Sequence, residues 1–543
     1  MIDEFTEDEK NVLRPFFSNM DKDIFVIKNL PEVVKGALFS RYSRTTKSVR
    51  RVLLEEFIKK PEMGFSQIVG SVEASNQANA IKKAEEFYDR VLVDYGDDSV
   101  AELGGAHIAC ENVSIIATKI MEDARIGLSP LEKSTRYVFF DQKENGGYKF
   151  YKEPVLATSQ FADEYEQIMS LLFDTYARMV EPVKKFMVER FPKTDDVSDR
   201  AYQSTIRAKA CDTIRGLLPA GTLTNMGIYG NGRAFEYLLI KMRANPLTEM
   251  RNAADSMKNE LGTVIPSFVK RVSDKHGDAY RNYISKSLED TKRFASGFSQ
   301  SADGQKAVQL VDYDNEAEIK IISAILYPHT HLPESRIREL VASLGADERQ
   351  RILKAYVSER ANRRHRPGRA FENAYYKFDI VGNYGMFRDL HRHRMLTQER
   401  QSLTTNHGYD MAKELAAAGL ESGFKDAMEA AKNAFGRIAA KFPAEAQYVV
   451  PLAYRVRWYF LMNLREVYHL CELRSVRQGH PDYRLVAQKM FEEVKKVHPN
   501  LAAFANFLDT NTYDLERLEA EKRIDRKIED IGKKYPGNWT KNK

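Results

Sequence analysis

The spacing P-x11-N-x-R occurs twice in this chain: Pro219 leads to Asn231-Gly232-Arg233, and Pro451 leads to Asn463-Leu464-Arg465. The interval is twelve residues in each case (231 − 219 and 463 − 451). Two polar landmarks held at one spacing in both halves imply an internal duplication, so the chain must fold as two copies of one unit rather than around one large core. A length of 543 residues agrees, because it exceeds what a single ordinary core organises.

Composition narrows the class. Hydrophobic residues make up 43% and charged residues 29%, the balance of a globular protein in water. A net charge of +6 is small for this size and argues against a dedicated nucleic-acid binder, which would concentrate basic residues on one face. Local basic clusters then read as small anion sites. The opening M-I-D-E-F-T-E-D-E-K has no apolar h-region, and no run of eighteen apolar residues occurs, so neither a signal peptide nor a membrane span is expected. Cys110, Cys211 and Cys471 fit no metal or disulfide spacing, and a reduced, cytoplasmic setting is expected.

Along the chain, residues 160–215 carry a helical period, and helix continues from Arg233 towards Lys286. The polar, turn-rich stretch 291–306 reads as a linker between an N-terminal domain, 1–290, and a C-terminal domain, 307–543. After it the run Ile319 to Leu326 reads as a strand, Y-Y-K-F-D-I-V alternates, and helices are expected over Phe424 to Lys441 and Leu461 to Arg477. On that last helix Arg465 and His469 share a face, while Arg474 points the opposite way from Arg465. The expected fold is α+β and helix-rich, a small sheet with long helices in each half. The segment 138–218 is extra length in the first half.

The chemistry-bearing stretch is Leu390 to Ser402, L-H-R-H-R-M-L-T-Q-E-R-Q-S. Arg392, His393 and Arg394 must fan out in any local structure, which suits a ligand with several anionic or acceptor groups. Arg364-His365-Arg366 has the same letters but no serine eight residues on, and it is set aside as a decoy. R-H-R-x7-S, together with Glu372, Asn463-x-Arg465, His469, Leu473-Arg474 and the closing Asp482-Tyr483-Arg484, resembles the flavin-dependent thymidylate synthases, here as a double-length form with two divergent domains. A second glutamate, Glu102, matches Glu372 in the first half.

That resemblance implies FAD as cofactor, with Glu372, Arg392, His393, Arg394, Asn463, Arg465 and His469 as its ligands. It implies NADPH and methylenetetrahydrofolate as co-substrates and dUMP as the acceptor of the one-carbon unit. Glu132, Ser134, Arg136, Ser402 and Arg474 are then the nucleotide-binding residues, with Arg474 and Arg392 as catalytic residues. The copies have decayed in complementary ways. The first keeps Ser134-Thr135-Arg136-Tyr137 but has Ala124-Arg125-Ile126 where R-H-R would stand; the second keeps R-H-R but has Thr404 in place of the S-x-R arginine. A site built from both copies follows, and a homodimer would form a pseudo-tetramer. Two rivals stand beside this reading: a sister flavoenzyme acting on another pyrimidine nucleotide, and a non-catalytic nucleotide- or RNA-binding descendant. No metal site is expected, His391 and His393 being the nearest approach to one.

Overall fold

A computed structural model describes residues 4–43, 45–60, 100–298 and 306–535. The chain forms two compact units, Met1–Lys133 with Thr224–Gln300, and Ser134–Leu223 with Ser301–Lys543. In the first unit β1 (Gly105–Ser114), β2 (Leu128–Glu132) and β3 (Leu223–Asn231) form a sheet of order β1-β3-β2. In the second, β4 (Val308–Tyr313), β5 (Tyr375–Asn383), β6 (Thr397–Arg400) and β7 (Arg455–Asn463) form an antiparallel sheet of order β4-β5-β7-β6. The order β5-β7-β6 repeats β1-β3-β2, with β4 added at the edge.

Each long strand passes directly into a helix through a side-chain cap. Ser114, Asn231, Asn383 and Asn463 accept from the backbone N–H three residues on and start α1 (Ile115–Glu122), α2 (Gly232–Arg243), α3 (Tyr384–Leu390) and α4 (Leu464–Arg474). The asparagine of each P-x11-N-x-R is thus the joint between a nine-residue strand and its helix. Register repeats as well. Glu132, two before Ser134, faces Met226, five before Asn231; Arg400, two before Ser402, faces Trp458, five before Asn463. An ion pair is repeated too: Glu102 to Arg233 at 2.8 Å and Glu372 to Arg465 at 3.2 Å. The fold is α+β and duplicated.

Several local expectations are corrected. Leu461 to Asn463 finish β7 rather than open a helix, because their alternation buries Met462 and half-exposes its neighbours. Ile319 to Leu326 lies in the helix Ala317–Leu326, since its apolar positions 319, 322 and 326 recur at helical spacing. The helix Lys275–Ala295 runs into the expected linker, whose residues 299–305 lie outside the described residues.

The compact units also divide the chain differently from a cut at 291–306, because 134–223 packs with the second half. Helix Ala162–Arg190 buries Tyr165, Met169, Leu172, Phe173 and Tyr176 and packs on the helices Asp199–Ile214 and Glu421–Ala439. The chain then meets the second copy through its own equivalent. Pro219 bridges Pro451, Ala220 N–H donates to Val450 O and Leu452 N–H to Leu218 O, each about 2.8–2.9 Å. Gly221 N–H donates to Tyr448 O as Ala453 N–H donates to Gly216 O. Adding 232 to the first-copy partner of one bond and subtracting it from the second-copy partner gives the other bond, so the pairing is isologous, as across a two-fold axis. Among the described residues no helix is long and apolar enough to cross a membrane.

Candidate active site

Within the second unit, the turn after α3 and the helix α4 bring the R-H-R triplet against the later arginine. The triplet does fan out: His393 is buried, while Arg392 and Arg394 are exposed. His393 Nε2 accepts from Arg474 Nε at 3.0 Å, which leaves the proton on Nδ1, 2.7 Å from Glu466 Oε1. Burial pushes the Glu466 carboxyl up to about 8, against the pull of Arg366, Arg465 and Arg474. The terminal nitrogens of Arg474 have no hydrogen-bond partner among the described residues. Burial also pulls its guanidinium below the ordinary value.

The first copy contributes from 134–223. Arg136 is buried and sets its fork on Asp212, Nε to Oδ1 at 2.8 Å and Nη2 to Oδ2 at 2.7 Å. Its Nη1 donates to Tyr483 Oη at 3.1 Å and its Nη2 reaches Gln478 O at 3.5 Å. Arg136 and Arg474 both lie over the Tyr483 ring, at 5.7 and 5.9 Å. Arg215, also buried, donates to Asp389 at 3.3 Å. Burial disfavours both carboxylates, yet Arg136 and then His480 hold Asp212 down at about 2. Arg215, followed by Arg392, Arg136 and Arg474, holds Asp389 well below the usual range. The result is a cluster of arginines from both copies around two ionised aspartates.

The remaining expected residues divide. Glu372 pairs with Arg369 at 3.1 Å and with Arg465, whose Nε also donates to Pro367 O at 2.8 Å. Asn463 spends its oxygen on the helix cap. His469 lies 5.4 Å from His393, ring to ring, and its Nε2 meets Arg366 at 3.2 Å; burial pulls it down to about 4. Arg366, set aside in the sequence as a decoy, therefore belongs to the cluster. Ser134 Oγ accepts the Arg136 N–H, and Ser402 is exposed after β6. Glu132 lies in the first unit, buried with Thr118 and Lys119 at 3.0 and 2.9 Å, beside Glu122.

Exposed guanidinium groups at 366, 369, 392 and 394 with Arg465 among them suit an anionic dinucleotide, so these residues fit a flavin adenine dinucleotide. A cation is less suited. Ligand atoms of His393, Glu466 and His469 do lie within 4.8 Å of one another, but Arg474 and Arg366 occupy the imidazole lone pairs a metal would need.

Glu466, Asp389, Asp212, Arg215 and Arg366 went unnoticed as site residues in the sequence. One signal was available for Arg215: it stands four before Pro219, where the second copy has Gln447 four before Pro451. That asymmetry follows the same direction as the loss of Arg136's counterpart at Thr404.

Comparison with known proteins agrees with this architecture. The family model described as thymidylate synthase complementing protein matches residues 44–267 and 309–500. A UPF0159 protein of Chlamydia muridarum is 44% identical over 524 residues, covering 96% of this chain and 98% of its own. Another from Thermoplasma acidophilum is 35% identical, covering 90% and 98%. A flavin-dependent thymidylate synthase of Sulfurisphaera tokodaii is 32% identical over 138 residues, 24% of this chain and 54% of that protein. The chain belongs to the thymidylate synthase complementing protein family, as a double-length member with two divergent copies of the domain.

Proposed function

We propose that the chain is a flavin-dependent enzyme that methylates a pyrimidine at C5, with dUMP as acceptor, methylenetetrahydrofolate as carbon source and NADPH as reductant. The observation that carries this reading is the meeting of Arg136 and Arg215 from one copy with His393 and Arg474 from the other around Asp389 and Tyr483. Each copy lacks what the other supplies, so decay in both is compatible with one retained site.

Bound flavin would supply the redox chemistry, and the protein's part is binding and electrostatics. Arg366, Arg392, Arg394 and Arg465 would hold its pyrophosphate side. Arg474 is fixed by its Nε on His393, and its terminal N–H groups would donate to a uracil carbonyl as that carbonyl gathers negative charge when C5 becomes nucleophilic. Two chains paired as a homodimer would complete a pseudo-tetramer.

A second reading, a sister flavoenzyme for another pyrimidine, draws support from Arg136. Asp212, Tyr483 and Gln478 take most of its donors, so holding a nucleotide phosphate requires release of Asp212. The deciding experiment is the visible spectrum of the purified chain with added FAD, followed by titration with dUMP and with uridine. Flavin bands that shift with dUMP support the first reading. A shift with uridine alone supports the second, and a chain that takes up no FAD overturns both.

A further inference from the structure

The contact that holds Arg474 also dictates where protons sit on the two side chains behind it. Its Nε–H donates to His393 Nε2 at 3.0 Å, so that ring nitrogen must offer a lone pair. A neutral imidazole with a bare Nε2 carries its proton on Nδ1, which lies 2.7 Å from Glu466 Oε1. Imidazolium does not fit, because it would turn an Nε2–H against the Nε–H of Arg474. The three groups form one buried line. His393 and Glu466 are both buried, and Glu466 stands in the first turn of α4 while Arg474 ends that helix.

An ionised glutamate would work against this line, since a carboxylate beside an imidazole favours its protonated form. Burial removes that conflict by pushing the Glu466 carboxyl up to about 8, against the pull of Arg366, Arg465 and Arg474. Its Oε2 has no hydrogen-bond partner among the described residues, which leaves room there for the acid proton. The neutral acid then offers His393 Nδ1–H a carbonyl oxygen, as a glutamine would. His469, 5.4 Å from His393 ring to ring, follows the same pattern. Burial pulls it down to about 4, which keeps it neutral, and its Nε2 meets the Arg366 guanidinium at 3.2 Å.

We propose that Glu466 is a positioning residue for nucleotide recognition: its hydrogen bond to Nδ1 locks His393 in the one tautomer that can accept from Arg474, and so holds the Arg474 guanidinium in place. Without that lock the imidazole proton is free to move to Nε2, where it faces the Arg474 Nε–H and drives the guanidinium away. What matters at position 466 is therefore an acceptor and not a charge. Taking a uracil carbonyl as the group that Arg474 meets rests on the proposed function; the lock on His393 does not.

The test has two readouts on the full chain. The first is nitrogen NMR of isotope-labelled histidine, with the His393 signals assigned by their loss in His393→Gln. The parent and Glu466→Gln should show a protonated Nδ1 and a bare Nε2 at His393, whereas Glu466→Leu, which has no acceptor, should lose that pattern. The second is dUMP affinity of the FAD-loaded chain, read from the flavin spectrum. Glu466→Leu should weaken dUMP binding about tenfold or more, as expected for one hydrogen bond to a charged group, and Glu466→Gln should restore it. Both variants should still load FAD, which also checks their folding. A bare Nδ1 in the parent, an unchanged tautomer in Glu466→Leu, dUMP affinity equal in Glu466→Leu and the parent, or equal loss in both variants would each overturn the assignment. The expected tautomer pattern, in a chain that binds no FAD or no dUMP, would sustain the lock on His393 and sink the flavin and dUMP reading instead.

Discussion

At the scale of single residues, the arginine cluster is held by groups whose charge depends on burial. The Glu466 carboxyl is raised from 4.5 to about 8 in the fold, so it stays protonated where the unfolded chain ionises. Its contribution to stability is therefore complete below about 4.5 and lost by about 8. Thermal melts should show stability falling across that window, and Glu466→Gln, which keeps an acceptor for His393, should flatten the fall. A variant with the parent's pH slope would contradict this assignment. Asp212 behaves in the opposite sense: its lowered carboxyl supports the fold above about 3.8 and loses that support as pH falls through about 2. Removing its charge strands Arg136. Asp212→Asn should destabilise by about 3–5 kcal/mol, and pairing it with Arg136→Met should recover much of that loss in denaturant melts. Additive effects of the two changes would show that the pair is not coupled.

At the scale of elements, the joints between strand and helix do the positioning. Asn463 ends β7, caps α4 and so aims Glu466, His469 and Arg474 from one short helix. Asn463→Ala should cost about 1 kcal/mol through the lost cap, whereas Asn463→Asp should keep stability. If Asn463 also contacts flavin, Asn463→Asp loses FAD affinity at unchanged melting temperature; equal FAD binding in both would leave it a cap alone. These joints were legible in the sequence, because strand length, cap and helix start are local and repeat at a set spacing. The edges were less so. Leu461-Met462-Asn463 has helix-forming composition but is held in β7 by nine paired positions with β5. Ile319 to Leu326 is rich in isoleucine, and its helical period outweighs that preference.

At the scale of the whole molecule, duplication followed by complementary loss leaves one complete arginine cluster among the described residues. The equivalent positions in the other copy of each segment, Ala124-Arg125-Ile126, Thr404 and Gln447, offer one arginine where the retained ones offer several. FAD titration should saturate at one flavin per chain; two equivalent flavins per chain would refute the single-site account. The isologous exchange about Pro219 and Pro451 is a dimer-like contact between the copies, made within one chain.

The sequence by itself determined what local physics can encode: the period of each helix and strand, the capping asparagines, the repeated spacing, and the triplet whose side chains must diverge. It also carried the likeness to a family, through those same short patterns. Only the tertiary structure decided which charges meet. Arg136 and Asp212 are 76 residues apart, Arg215 and Asp389 174, and His393 and Glu466 73. No periodicity announces such pairs, because the strength of a buried charge depends on what surrounds it in space, not on its neighbours in the chain. That is why Arg366 could be dismissed by spacing and yet lie against His469, and why Arg136, read as a nucleotide-binding residue, sits on a carboxylate.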